Sequence, residues 1–287
     1  MKKILVTGGL GQIGSHITEL LLARGDKVLV IDNLETGRIE HLTDHENLEV
    51  VIDSIANREK LSNLMEDFSP EIVVHTAASY KDPNNWYGDA LTNCLGGANL
   101  VDLSKKYNVE RFIYFQTALC YGLKPTQQPI QLDYPRDPSE SSYAISKTTC
   151  EFYLELSGLD YVTFRLANVI GPRNVAGPLP IFFQRLKDGK KCFVTESRRD
   201  FVFVKDLANV ALKACDGAGK GAYHFSSGKD VAIKDLYDEV VKAMGLNHYP
   251  EVEIKKLGPD DVFSILLDPK RTFEDFGNIK FTDLSTT

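Results

Sequence analysis

The run Ile4-Leu5-Val6 leads into Gly8, Gly9, Gly11 and Gly14, and Ile13, Ile17, Leu20 and Leu21 then recur at helical spacing. A short apolar run, a glycine turn and an amphipathic helix in that order leave few architectures open. One glycine permits the tight turn, another lets backbone N–H groups approach a bound anion, and the last lets helix and strand pack closely. The helix N-terminus adds partial positive charge at the same spot, which suits the pyrophosphate of a dinucleotide.

The alternation continues beyond the turn. Val28–Ile31, Leu48–Ile52, Ile72–Val74, Phe112–Phe115 and Tyr161–Phe164 read as buried strands, and Gly11–Arg24, Asn57–Phe68, Gly88–Tyr107 and Ser142–Ser157 as helices between them. Strand and helix in turn predict an α/β chain, a Rossmann-type doubly wound parallel sheet covered on both faces. Past Arg165 the breakers Gly171-Pro172, Gly177-Pro178 and Pro180 change the pattern. The expected division is a dinucleotide-binding domain over 1–167 and a smaller, mainly substrate-binding part over 168–287. Later strands are expected to return to the main sheet around 199–216, beginning with Arg199–Val204, and around 262–267.

Asp32 closes the second apolar run, about 20 residues after the turn, where a carboxylate accepts hydrogen bonds from a ribose 2′-hydroxyl and repels a 2′-phosphate. That favours NAD over NADP. Asp53 follows the third run and has two readings, an adenine contact or a plain strand-end aspartate. Tyr143 and Lys147 stand one helical turn apart on one face. An unperturbed tyrosine ionises near pH 10, and a lysine cation beside it is expected to lower that value into the range of a working base. Thr117 follows the strand Arg111–Phe115 at the C-terminal edge of the sheet, where its hydroxyl can share a hydrogen bond with Tyr143 and a substrate oxygen.

A formal charge of −7 argues against a surface built for nucleic acid or anionic lipid. The five cysteines form no CxxC pair, and neither they nor the histidines show metal-ligand grouping. Reduced thiols and the lack of a leader-like apolar segment after Met1-Lys2-Lys3 point to the cytoplasm, and no run approaches a membrane span.

The glycine turn, Asp32, His75-Thr-Ala-Ala78, Asn93, Thr117, Tyr143-x-x-x-Lys147 and Arg165-Leu-Ala-Asn168 occur in the order seen in extended short-chain dehydrogenases. Nearly the whole chain resembles the NAD-dependent epimerase/dehydratase family. Ala78–Pro83 and Phe115–Gly122 are similar to epimerase-like proteins of bacterial surface-polysaccharide pathways. The resemblance implies a tightly bound NAD held by Gly8, Gly11, Gln12, Ile13, Gly14, Asp32, Asn33, Asp53, Ser54, Ala77, Ala78 and Asn93, with Tyr143 and Lys147. It implies a nucleotide-diphosphate sugar as substrate and catalysis by Thr117, Tyr143 and Lys147: the tyrosine takes a sugar hydroxyl proton while the C4 hydride moves to NAD. Relatives that remove water carry Asp-Glu after the threonine, and those that decarboxylate carry a glutamate in that segment; here Ala118-Leu119 stand there. The resemblance therefore implies C4 epimerisation, with net oxidoreduction or dehydration as the alternative and a vestigial NAD-bound sensor as a third reading.

For the substrate, the resemblance singles out Asn168 and Arg199, whose plainer readings are a buried turn asparagine and a solvated charge pair with Arg198. Lys81, with Trp86, stands where it could reach the sugar, or is a surface lysine beside a packing tryptophan. An arginine common in relatives before a Gly-Asp has only Lys255-Lys256-Leu257-Gly258-Pro259-Asp260 to match it. Relatives dimerise through the helices corresponding to Gly88–Tyr107 and Ser142–Ser157, so a homodimer is expected.

Overall fold

The computed structural model describes residues 1–246, 251–258 and 262–286. Its first part runs β1 (Lys3–Thr7), α1 (Gln12–Ala23), β2 (Lys27–Asp32), β3 (Leu48–Ile52), α2 (Arg58–Phe68), β4 (Ile72–His75), α3 (Trp86–Asp89), a π turn (Ala90–Gly96), α4 (Gly97–Lys106), β5 (Arg111–Thr117), α5 (Ser142–Ser157) and β6 (Tyr161–Leu166). Next come β7 (Asn168–Ile170), α6 (Pro178–Lys187), β8 (Phe193–Thr195), β9 (Arg198–Arg199), β10 (Phe201–Phe203) and α7 (Val204–Cys215). The last are β11 (Gly221–Phe225), β12 (Val231–Ala232), α8 (Ile233–Ala243), β13 (Glu253–Lys255) and α9 (Lys270–Phe276).

Seven parallel strands form the main sheet in the order β11-β6-β5-β4-β1-β2-β3. The two-residue period of a strand divides its side chains between two cores. Ile4 and Val6 join a cluster with Ile17 and Leu21 of α1 and Leu207 and Ala211 of α7. Leu5 joins the opposite cluster, with Leu61 of α2, Leu100 of α4 and Leu154 of α5. Both faces are therefore covered, and the short continuous apolar runs follow from that. A separate cluster gathers Phe182 and Leu186 of α6 with Leu236, Tyr237 and Val241 of α8.

Three expectations need correction. The segment 199–216 does not return to the main sheet. Phe201–Phe203 pairs in parallel with Asn168–Ile170, Arg199 pairs with Val231, and Val204 already opens α7, which lays Leu207, Ala208 and Ala211 against the α1 face of the sheet. The place beside β6 is taken by Gly221–Phe225, delivered by the α7 crossover. Nor do residues 262–267 form a sheet strand: Leu267 makes a single bridge to Ile130, and with Ile265 it packs in a small cluster beside Cys120 and Tyr121. Finally, β3 is an edge strand, so its Val50 and Ile52 are exposed rather than buried.

The helix expected over Gly88–Tyr107 begins at Trp86, where the Asn85 side chain accepts from the Gly88 N–H, and it widens into the π turn over Ala90–Gly96. Such turns are frequent at functional sites, and this one carries Asn93. Of the stretch matched to the second diphosphate contact, Lys255 ends β13 with its ammonium 3.9 Å from the centroid of the Phe193 ring, while Pro259 and Asp260, like His248, lie outside the described residues.

Candidate active site

The C-terminal ends of β1, β2, β4, β5 and β6 open on one cleft of about 340 Å³. Ligands of doubly wound sheets bind at this edge. At one end stands the glycine turn. Gly8 has φ +67°, and a Cβ there would come within 2.6 Å of the Ala77 backbone nitrogen. A Cβ on Gly14 would meet the Gly8 carbonyl oxygen at 2.3 Å, so neither position takes a side chain without moving backbone. Helix α1 starts with no side-chain cap and no acidic residue in its first turn. Its first N–H groups therefore face the cleft without intrahelical partners. The Gln12 side-chain amide nitrogen lines the same cleft, buried and without a hydrogen-bond partner. Uncapped N–H groups and an orphaned amide donor fit a bound dinucleotide pyrophosphate.

Asp32 closes β2 with its carboxylate fixed. The Leu10 N–H donates to Oδ2 at 3.0 Å and the Leu34 N–H to Oδ1 at 2.9 Å. Asn33, Asp53 and Ser54 line the cleft beside it, and the Asp53 carboxylate accepts from the Ser54 N–H and the Asn57 amide. Ala77 and Ala78 form the opposite wall after β4.

At the other end lie Thr117, Tyr143 and Lys147. Thr117 ends β5; its Oγ1 accepts from the Leu119 N–H at 3.2 Å, which leaves the hydroxyl proton available to donate into the cleft. Tyr143 sits in the first turn of α5, whose N-cap Ser141 accepts from the Ala144 N–H. Lys147 follows one turn later and is 2% exposed. Burial lowers its pKa to about 8. Burial also raises the Tyr143 phenol above its ordinary value, with Tyr80 and Asp89 acting in the same direction. The expected lowering by Lys147 does not appear in the protein alone: every influence on the Tyr143 phenol raises it, and a low-dielectric cleft disfavours the ionised form of each group.

Asn168 lines the cleft while its side-chain amide donates to the Asp200 carbonyl at 3.2 Å. Three expected contacts are not brought to it. Asn93 is buried behind the wall; its amide donates to the Ser79 carbonyl and the Ser146 hydroxyl, and its oxygen accepts from the Ser79 N–H. It shapes the loop after β4 and does not line the cleft. The Arg199 guanidinium donates to the carbonyls of Arg198 and Phe263, and Arg198 pairs with Asp230 instead. Lys81 is exposed and lies outside the lining.

Thr76, Tyr80 and Phe201 line the cleft although the sequence reading passed over them. Tyr80 had a signal, since it sits in the same post-strand segment as Ala77 and Ala78. Phe201 also had one, two residues after Arg199 in the segment expected at the substrate, but its place in the cleft comes from long-range pairing with β7. Among the described residues no group of three His, Cys, Asp or Glu gathers as metal ligands, and no helix is long and apolar enough to cross a membrane.

The family profile described as NAD dependent epimerase/dehydratase family matches residues 4–225. The chain belongs to this family. The UDP-glucose 4-epimerase of Mycolicibacterium smegmatis is 33% identical, over 96% of this chain and 92% of that protein. Among solved structures, the Bordetella bronchiseptica enzyme WbmH in complex with NAD+ is 68% identical with a TM-score of 0.98, covering 99% of this chain and 95% of its own. The Thermotoga maritima UDP-glucose 4-epimerase with UDP-glucose is 31% identical with a TM-score of 0.91, covering 99% and 95%. The chain is thus an enzyme of an NAD-dependent family, and its α/β sheet is the one these relatives share.

Proposed function

We propose that the chain is a nucleotide-sugar C4 epimerase that keeps its NAD bound through the cycle. One observation carries this reading. At the Thr117 end of the cleft the titratable lining groups, among the described residues, are Tyr143, Lys147 and Tyr80, and none is a carboxylate. The carboxylates of the lining are Asp32, which closes β2, and Glu35 and Asp53 on the segments that follow β2 and β3; Glu35 acts on Tyr80, and none comes from the segments that carry Thr117, Tyr143 and Lys147. After Thr117 come Ala118 and Leu119, which transfer no protons.

Removal of water needs a second acid and base beside the sugar, whereas epimerisation needs one group that takes a proton and gives the same proton back. Tyr143 takes it from the C4 hydroxyl and returns it. Thr117 donates a hydrogen bond to the same oxygen, and the Lys147 cation offsets the charge that develops on the phenol. NAD, when bound, supplies the hydride acceptor. Between the two half-steps the sugar must turn its other face, which requires loose contacts around the ring.

A UDP-sugar is the substrate class proposed first, since the Thermotoga maritima relative holds UDP-glucose. The resemblance over 78–83 and 115–122 supports a role in surface-polysaccharide precursor synthesis, proposed to take place in the cytoplasm. It is also proposed to pair with a second copy through α5 and the α3–α4 helix. Chromatography of products from UDP-, GDP- and dTDP-sugars, with NADH absorbance followed, tests the reaction. The expected result is a C4 epimer without accumulating NADH. Stoichiometric NADH or a dehydrated keto sugar would overturn it in favour of net redox or dehydration.

A further inference from the structure

Lys147 is almost wholly buried, yet its ammonium makes no hydrogen bond among the described residues. It lines the cleft, and a cation held this far from water depends on the groups around it. What faces it is an aromatic ring: Nζ stands 4.3 Å from the centroid of Tyr114, a distance at which the negative face of the ring attracts a desolvated cation. The hydroxyl of the same tyrosine donates to the Lys147 carbonyl at 2.8 Å. One side chain of β5 thus holds this residue of α5 at its backbone and at its charged end.

Tyr114 is itself held. It is fully buried, and the His75 ring stacks on it with centroids 5.3 Å and planes 24° apart. His75 Nδ1 lies 2.8 Å from the Thr7 hydroxyl of β1. Burial keeps His75 well below its ordinary pKa, so it brings no second cation to the ring. From α5 itself, Cys150 and Glu151 favour the charge on Lys147, and Tyr143 stands one turn before it. Thr7, His75, Tyr114 and Lys147 form a chain of contacts from β1 through β4 and β5 to the catalytic helix.

We infer that Tyr114 is a positioning residue for Lys147, its ring face holding the ammonium and its hydroxyl the backbone of the same residue. The role deepens the proposed function and rests on Lys147 serving that reaction. A leucine at 114 would fill much of the space, but it would offer the cation no face and the carbonyl no donor.

The test follows the ε-carbon of Lys147 by NMR in the NAD-saturated protein grown with carbon-13 lysine, the signal being assigned by its loss in Lys147→Arg. Tyr114→Phe keeps the ring and should leave the titration midpoint at the wild-type value. Tyr114→Leu should lower it by about one pH unit, because the charged form loses its partner. A midpoint that stays or rises in Tyr114→Leu, or falls as far in Tyr114→Phe, overturns the inference. Should the leucine variant not fold, the wild-type protein still decides: ε-protons above a ring face resonate upfield of the other lysines, and an ordinary position sinks the idea. Neither measurement needs turnover. A protein that passes both and epimerises no sugar would fail the proposed function while leaving the contact established.

Discussion

At the scale of single residues, Tyr143 and Asp32 do the most separable work. Tyr143→Phe removes the phenol proposed to exchange a proton with the substrate next to Thr117, and its ring still fills the wall. Turnover should fall about 10²–10⁴-fold, while NAD binding, followed by fluorescence, stays as in the parent. Loss of NAD binding as well would make the tyrosine a packing residue. Asp32 carries charge and structure together, since it accepts from the N–H groups of Leu10 and Leu34. Asp32→Asn removes the charge and keeps one acceptor. The NADP-to-NAD affinity ratio should rise at least about tenfold, or ~1.4 kcal/mol, with some loss of thermal stability. An unchanged ratio measured by calorimetry would mean that the carboxylate shapes the turn without choosing the cofactor.

Much of this site was legible because its residues lie in short local patterns: the glycine turn, a strand-end aspartate, a tyrosine and lysine one turn apart. Arg199 and Asn93 show the limit. Each has the right residue type in the right order, yet the Arg199 guanidinium is spent on carbonyls that include Phe263, and the Asn93 amide on Ser79 and Ser146. Partners that distant in sequence leave no local pattern. The Tyr114 ring beneath Lys147 was illegible for the same reason.

Elements followed a similar rule. Five of the first six strands were readable because parallel strands covered on both faces are unbroken apolar runs; β3 shares the apolar run although its Val50 and Ile52 are exposed. Gly221–Phe225 was missed: it opens with Gly-Ala, carries a histidine, and is only partly buried at its start. That histidine ties the strand to its surroundings. His224 Nε2 lies 2.7 Å from the Tyr121 hydroxyl, which also accepts from Arg165, and Nδ1 donates to the Asp268 carbonyl at 2.9 Å. Burial, the largest influence, lowers its pKa to about 4. The unfolded chain takes up this proton below about pH 6.5 while the folded one does not until about pH 4, so stability drains away as pH falls through that window. Between about pH 7 and pH 5 the loss from this group should be ~2 kcal/mol. Urea unfolding of His224→Gln should show a smaller loss over the same interval; an equal loss would place the effect elsewhere, with buried His75 the first suspect.

For the molecule as a whole, the distribution of apolar surface bears on assembly. Ile145, Phe152, Tyr153 and Leu156 recur on one face of α5 and are all exposed, Leu156 at 82%. Leu95 of the π turn and Trp86 and Tyr87 of α3 are exposed on the neighbouring helix, which packs against α5. The inner faces of α4 and α5 already serve the core through Leu100 and Leu154, so these outward residues have no role in closing the sheet. Apolar side chains clustered on adjacent helices mark a contact surface more often than scattered ones do, and a two-fold pairing would set each helix pair against its copy. Leu156→Glu together with Phe152→Glu places four like charges across such an interface. Sedimentation should then shift from dimer to monomer, with Tyr143 and its cleft left in place on the opposite side of α5. A double variant that sediments like the parent would remove this face from the assembly. If both sediment as monomers, the exposed stripe belongs to some other contact, and the four-helix pairing expected from sequence fails with it.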